Sequence, residues 1–179
     1  MSLTEPASPA VRGAPRRRGS GQALVEFSLI IPLFLTALFA IIDVGHVIWT
    51  QNVVASAARE GARYAIVHGG STSNPCPVGP PHEDTIIPAA SSTCPYPSPS
   101  KQAIVDVVRN YAVGAGGTMT VNVCYGDGCS GAVDTVGATN ARNTPVTVTV
   151  SGQVGLITGG FLGIGPFGVS ATTTMLVNH

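Results

Sequence analysis

The sequence predicts an α+β chain, with a long N-terminal helix followed by a small head made of one short helix and an antiparallel sheet. Three observations carry this expectation. No charged side chain falls between Phe27 and Ile42, a run of 16 residues that only a helix can carry through an apolar medium with its backbone satisfied. Proline crowds residues 71–100 so densely that no regular ladder survives there. Three segments with alternating valines then follow a short amphipathic one. Helix first and strands last is the order of an α+β head rather than of a parallel βαβ sheet.

Charge orients the first element. The chain has 179 residues, 10% of them charged and 44% apolar, with a formal net charge of zero. Before Gln22, four arginines (Arg12, Arg16, Arg17, Arg18) face only Glu5, and after it five bases face eight acids. Basic flanks stay on the cytoplasmic side of a span. The expected topology is therefore single-pass in the plasma membrane, with residues 1–21 a cytoplasmic basic leader lacking any fold and the C-terminal domain extracytoplasmic. Binding of nucleic acid by so short a basic cluster is the weaker reading, because an apolar run follows it directly.

The span itself is short. Sixteen residues at about 1.5 Å each cover about 24 Å of a hydrocarbon core of about 30 Å, so Val44, Val47 and Ile48 are recruited past Asp43. Trp49 is suited to the headgroup boundary. Pro32 lies inside the run, where it frees the carbonyl of Ser28. The helical pattern then continues: Val44, Val47, Ile48, Gln51, Val54, Ala55, Ala58, Ala62, Ala65 and Ile66 share one arc at 100° per residue. One helix over residues 22–67 is the expectation, serving as transmembrane segment and stalk. Ala57, Ala58, Gly61, Ala62 and Ala65 make its outer half small enough for a close backbone neighbour, either the chain's own head or another subunit.

Gly69-Gly70 closes the helix, and residues 68–100 form a proline-rich loop. The head domain occupies 101–179. Ile104, Val107, Val108, Tyr111 and Ala112 share a helical face that ends at Gly114. Strands are expected over Thr118–Tyr125, Pro145–Val154 and Val169–Val177, with threonines on a wet outer face. The glycine-rich segment Gly155–Gly165, apolar but too short to cross a bilayer, reads as a buried connection, with contact to the bilayer or to a neighbouring subunit as the alternative. Gly126-Asp127-Gly128 reads as a turn.

Cys76, Cys94, Cys124 and Cys129 all follow the span, where an oxidising compartment permits two disulfides in three connectivities. Local pairing, Cys76 with Cys94 and Cys124 with Cys129, is expected. No catalytic constellation, metal site or cofactor motif is present in the sequence: His46, His68, His82 and His179 are scattered, and His82 beside Glu83 and Asp84 reads as a solvated loop. Gly128-Cys129-Ser130-Gly131 lacks the spacing of a nucleophile elbow. Gly160–Gly165 inverts the order of a dinucleotide fingerprint.

One motif remains. Gly21-Gln22-Ala23-Leu24-Val25-Glu26-Phe27, behind the arginines and ahead of the span, resembles the prepilin-peptidase site of type IV pilins and pseudopilins. In that resemblance Gly21 ends the leader, cleavage precedes Gln22, Glu26 is the acidic residue at the fifth mature position and Phe27 the aromatic at the sixth. Cleavage creates an amine at Gln22, and a spacing of four sets Glu26 on the same helical face. Glu26-Phe27, the span, and Ala57-Ala58-Arg59-Glu60-Gly61-Ala62-Arg63-Tyr64-Ala65 together resemble the TadE-like family of tight-adherence (Flp-type) pilus assembly proteins. More loosely, Val146–Val150, the glycine-rich connection and Ala171–Met175 do so too.

That resemblance implies a pilin-like fold and a minor pilin or pseudopilin without enzymatic activity. The implied partners are membrane lipid, a prepilin peptidase, other pilins or pseudopilins and the Tad secretion machinery. Two alternatives compete: release of a secreted binding domain by cleavage after Ala57, and an uncut membrane-anchored binding module.

Overall fold

The computed structural model describes residues 20–69, 76–81, 94–129 and 131–178. The leader up to residue 19, the His82-Glu83-Asp84 stretch and much of the proline-rich loop lie outside the described residues. Helix α1 spans Ser20–Val67 and runs through Pro32 without interruption. Thr36 Oγ1 donates to the Pro32 carbonyl at 2.7 Å and Ser28 Oγ to that of Val25 at 2.8 Å, the internal satisfaction that hydroxyls in an apolar helix require. The chain divides into two compact units after Leu38.

In the first unit, α1 is apolar all round and none of its large side chains is buried: Leu29 is 74% exposed and Leu33 73%. A helix hydrophobic on every face belongs in a protein core or in lipid. Among the described residues nothing buries these side chains, and the helix's length and composition suffice to cross a membrane.

The second unit, from Phe39 onward, is the α+β head. Helix α2 covers Gln102–Tyr111 and continues as a 3₁₀ turn over Ala112–Ala115. Strands β1 (Met119–Tyr125), β2 (Pro145–Val154) and β3 (Phe167–Leu176) form an antiparallel meander in that order. Between β2 and β3 sits a single helical turn, α3 (Gly159–Leu162). The register sets Val121 opposite Val150, Val123 opposite Val148 and Tyr125 opposite Val146, so one face of the sheet is a valine layer. It closes on Val54, Ala57, Ala58, Ala62 and Ala65 of α1 and on Ile104 and Val108 of α2.

The opposite face is hydroxylated. Thr147 bonds Thr174 at 2.9 Å and Thr149 bonds Thr172 at 3.0 Å across the β2–β3 pair, cross-strand pairs of the kind that stabilise a wet sheet face. The alternation read from the sequence therefore gives the strands and their inner faces. Tyr111 departs from its expected face. It is exposed because the chain tightens into the 3₁₀ turn directly after it, and Ala112 and Ala115 take the buried positions instead.

Loops are tied back to this frame. Val78 N donates to the His68 carbonyl at 2.8 Å and Asn140 Nδ2 to that of Val78 at 3.2 Å. Asp134 pairs with Lys101 at 2.7 Å while accepting from Tyr125 N at 2.8 Å. Disulfides join Cys76 to Cys94 and Cys124 to Cys129, the second clasping the turn at Gly126–Gly128.

Candidate functional site: the N-terminal motif and the Asp43 lock

Gly21, Gln22, Glu26 and Phe27 occupy the first turns of α1 and are exposed. Gln22 Nε2 donates to Glu26 Oε1 at 3.2 Å, so the two residues share a helical face as their spacing requires. A Cβ added at Gly21 would meet nothing within 4 Å. Among the described residues, then, no packing demands a glycine at this position.

The small residues of the outer half are spent on the head. Ala57, Ala58, Ala62 and Ala65 are fully buried, and Gly61 is buried with them. A Cβ on Gly61 would land inside the radius of a Val108 methyl group and against Val148. Close approach of α1 to α2 and the sheet thus explains this stripe. The neighbours are the chain's own.

Asp43 is the polar centre of the head's other end. It is 4% exposed. Its Oδ1 accepts from Ile157 N at 2.8 Å, while Oδ2 accepts from Thr158 N at 2.8 Å and from Thr158 Oγ1 at 2.5 Å. Thr158 is the residue that precedes α3, so a carboxylate on α1 holds the two amides and the hydroxyl that lead into that turn. Hydrogen bonds to an ionised carboxylate are the strong kind. They fasten the β2–β3 connection to α1 across 114 and 115 residues of sequence.

Sequence spacing gave no sign of that pairing. Two clues were present: a carboxylate placed among apolar helix residues must find partners, and Thr158 is the one side chain with a hydroxyl between Gly155 and Gly168.

The connection it holds is not buried. Phe161 is 85% exposed, and Ile157, Leu162, Ile164 and Phe167 are exposed as well, which corrects the expectation of an internal segment. The physical reason lies in the knuckle. Gly159 packs so closely under the Ile164 carbonyl that a Cβ would come within 2.6 Å of it. Gly163 adopts φ of 67° to close the turn, a conformation glycine takes without strain. Four residues cannot wrap their side chains back under so tight a loop, and Phe161 and Leu162 project outward.

Other polar groups of the head belong to its framework. His68 stacks on Tyr64 with ring centroids 4.0 Å apart and its Nδ1 lies 3.0 Å from the Tyr64 carbonyl. Burial, helped by the charge of Asp134, pushes the Tyr125 phenol well above the ordinary tyrosine range. Tyr96 is raised by its hydrogen bond to Asp106, with burial adding to it. Among the described residues no group of three or more histidine, cysteine or acidic side chains is placed to hold a metal ion.

No curated protein and no solved structure matches the chain. A protein-family model does match, and it covers the N-terminal motif, the apolar run, Asp43 and the small-residue stripe through Arg63. That model is described as TadE-like protein and matches residues 21–63, so this part of the chain is similar to the TadE-like family.

Proposed function

We propose that this chain is a minor pilin or pseudopilin of the Tad (Flp-type) pilus, a structural subunit anchored by α1 with its N-terminus in the cytoplasm and its head outside. The family match beginning at Gly21 carries this reading. It begins at a glycine that no packing among the described residues requires, and an external reader of that position supplies a reason for it. A prepilin peptidase cuts between Gly21 and Gln22, working at the membrane surface where a side chain on residue 21 would obstruct it. The new amine at Gln22 lies one turn from Glu26.

Several features support the same reading. The first half of α1 is unburied and apolar, as lipid requires. Both disulfides lie beyond it in sequence, consistent with an oxidising exterior. The head offers its partners a surface and an anchored geometry rather than chemistry: other pilins or pseudopilins and the Tad secretion machinery act on it.

N-terminal sequencing of membrane-extracted protein from cells with an active prepilin peptidase tests the proposal. The mature chain is expected to begin at Gln22, and Gly21→Val is expected to leave the leader attached. A wild-type chain with its leader intact, or one beginning at Ala58, contradicts it.

A further inference from the structure

The knuckle around α3 gathers Ile157, Phe161, Leu162, Ile164 and Phe167 into an exposed apolar surface. It is also the end of the head that lacks charge. No aspartate, glutamate, lysine or arginine occurs from Asn143 to Asn178, nor on α1 between Asp43 and Arg59. Alongside the knuckle runs α1, whose Val44 and Ile48 are exposed too. Between them lies an open cleft of about 430 Å³, lined by Val44, Val47, Ile48, Leu156, Leu162 and Phe167 with Asp43 at its base.

The depth of Asp43 decides what covers this surface. A hydrocarbon core of about 30 Å takes about 20 helical residues. Counted from Phe27, they end near His46, so Asp43 falls about 5 Å inside the outer boundary at about 1.5 Å per residue. A carboxylate there is costly unless its oxygens are occupied, and the groups that occupy them are Ile157 N, Thr158 N and Thr158 Oγ1. Whatever depth Asp43 has, the knuckle shares it. The three hydrogen bonds leave no slack between the two.

We infer that the 155–165 knuckle is a second membrane contact, seated in the outer leaflet beside α1, with Phe161, Leu162 and Ile164 among the acyl chains and the cleft filled by lipid. This inference rests on the membrane-spanning reading of α1. The single span then has a collar: two points of contact resist tilting and swivelling of the head relative to the bilayer, where a lone helix resists neither. Asp43 is a positioning residue that holds the collar at the level of the boundary.

Trp49 is the chain's one tryptophan, which allows each contact to be read separately. Full-length protein is reconstituted into phosphatidylcholine vesicles whose acyl chains are brominated near the headgroup end, once as wild type and once as the double variant Trp49→Phe/Phe161→Trp. Phe161 is so exposed that the indole is accommodated without repacking. Both proteins are expected to lose emission to the brominated lipid, and the indole at position 161 to emit at shorter wavelength than a water-exposed one. Quenching of Trp49 with an unquenched, water-like indole at position 161 overturns the collar while leaving the spanning helix in place. Quenching of neither overturns both. An indole at position 161 shielded from brominated lipid and from aqueous iodide alike, with Trp49 quenched, assigns the surface to a second protein instead and also overturns the inference.

Discussion

Asp43 shows how much one side chain settles when it is the sole carboxylate among apolar residues. Along the sequence it marks where the uncharged run stops. In the fold it accepts three hydrogen bonds from residues that lie more than a hundred positions away, and the β2–β3 connection is held by them. Asp43→Ala removes both oxygens and strands two amides and a hydroxyl, which is expected to cost the head about 2 kcal/mol. Asp43→Asn keeps one acceptor and is expected to cost less. Amide hydrogen exchange of the full-length protein in detergent checks this locally: Ile157 and Thr158 lose protection in the alanine variant, while the paired amides of β1 and β2 keep most of theirs. The motif residues Gly21, Gln22, Glu26 and Phe27 are a different case. The shared face of Gln22 and Glu26 is local, set by one helix, and was readable from a spacing of four.

At the level of elements, periodicity did most of the prediction. The 3.6-residue arc of α1 and the two-residue alternation of the strands gave the elements and their inner faces because both periods are properties of the backbone and need no partner to be specified. What periodicity leaves open is the identity of the partner. The stripe from Ala57 to Ala65 suited the chain's own head first and a neighbouring subunit as the alternative. The fold takes it for the head, and Gly61 sits where no larger residue fits. Gly61→Ala is therefore expected to destabilise the head by about 1–3 kcal/mol through overpacking, read as a lowered melting temperature in detergent. Gly45→Ala, at a position with nothing within 4 Å, serves as the control and is expected to cause no loss. The α3 knuckle was misjudged at this scale for a related reason. Apolar composition signals burial only where the backbone has length enough to turn its side chains inward, and a turn closed by Gly159 and Gly163 does not.

For the whole molecule, the proposed role in assembly makes Glu26 its most telling residue. An apolar replacement near the membrane boundary inserts at least as well as a carboxylate, so Glu26→Leu is expected to leave membrane content and leader cleavage near normal. It is expected to abolish co-purification with other pilus components and surface piliation, since the Gln22 amine of a neighbouring subunit loses its partner. Immunoblotting of membranes, N-terminal sequencing and pull-down from the same cells check the three parts separately. A variant that is cleaved, inserted and fully piliated leaves Glu26 without that role. The sequence alone sufficed for the α+β class, the apolar helix, the strands with their faces and the family resemblance, since each depends on residue types at short fixed spacings along one backbone. Tertiary structure decided where the small-residue stripe packs, what Asp43 binds and that the glycine-rich connection faces outward. Those three depend on contacts between distant segments, whose geometry is set by how the sheet closes on α1 and is written in no local pattern.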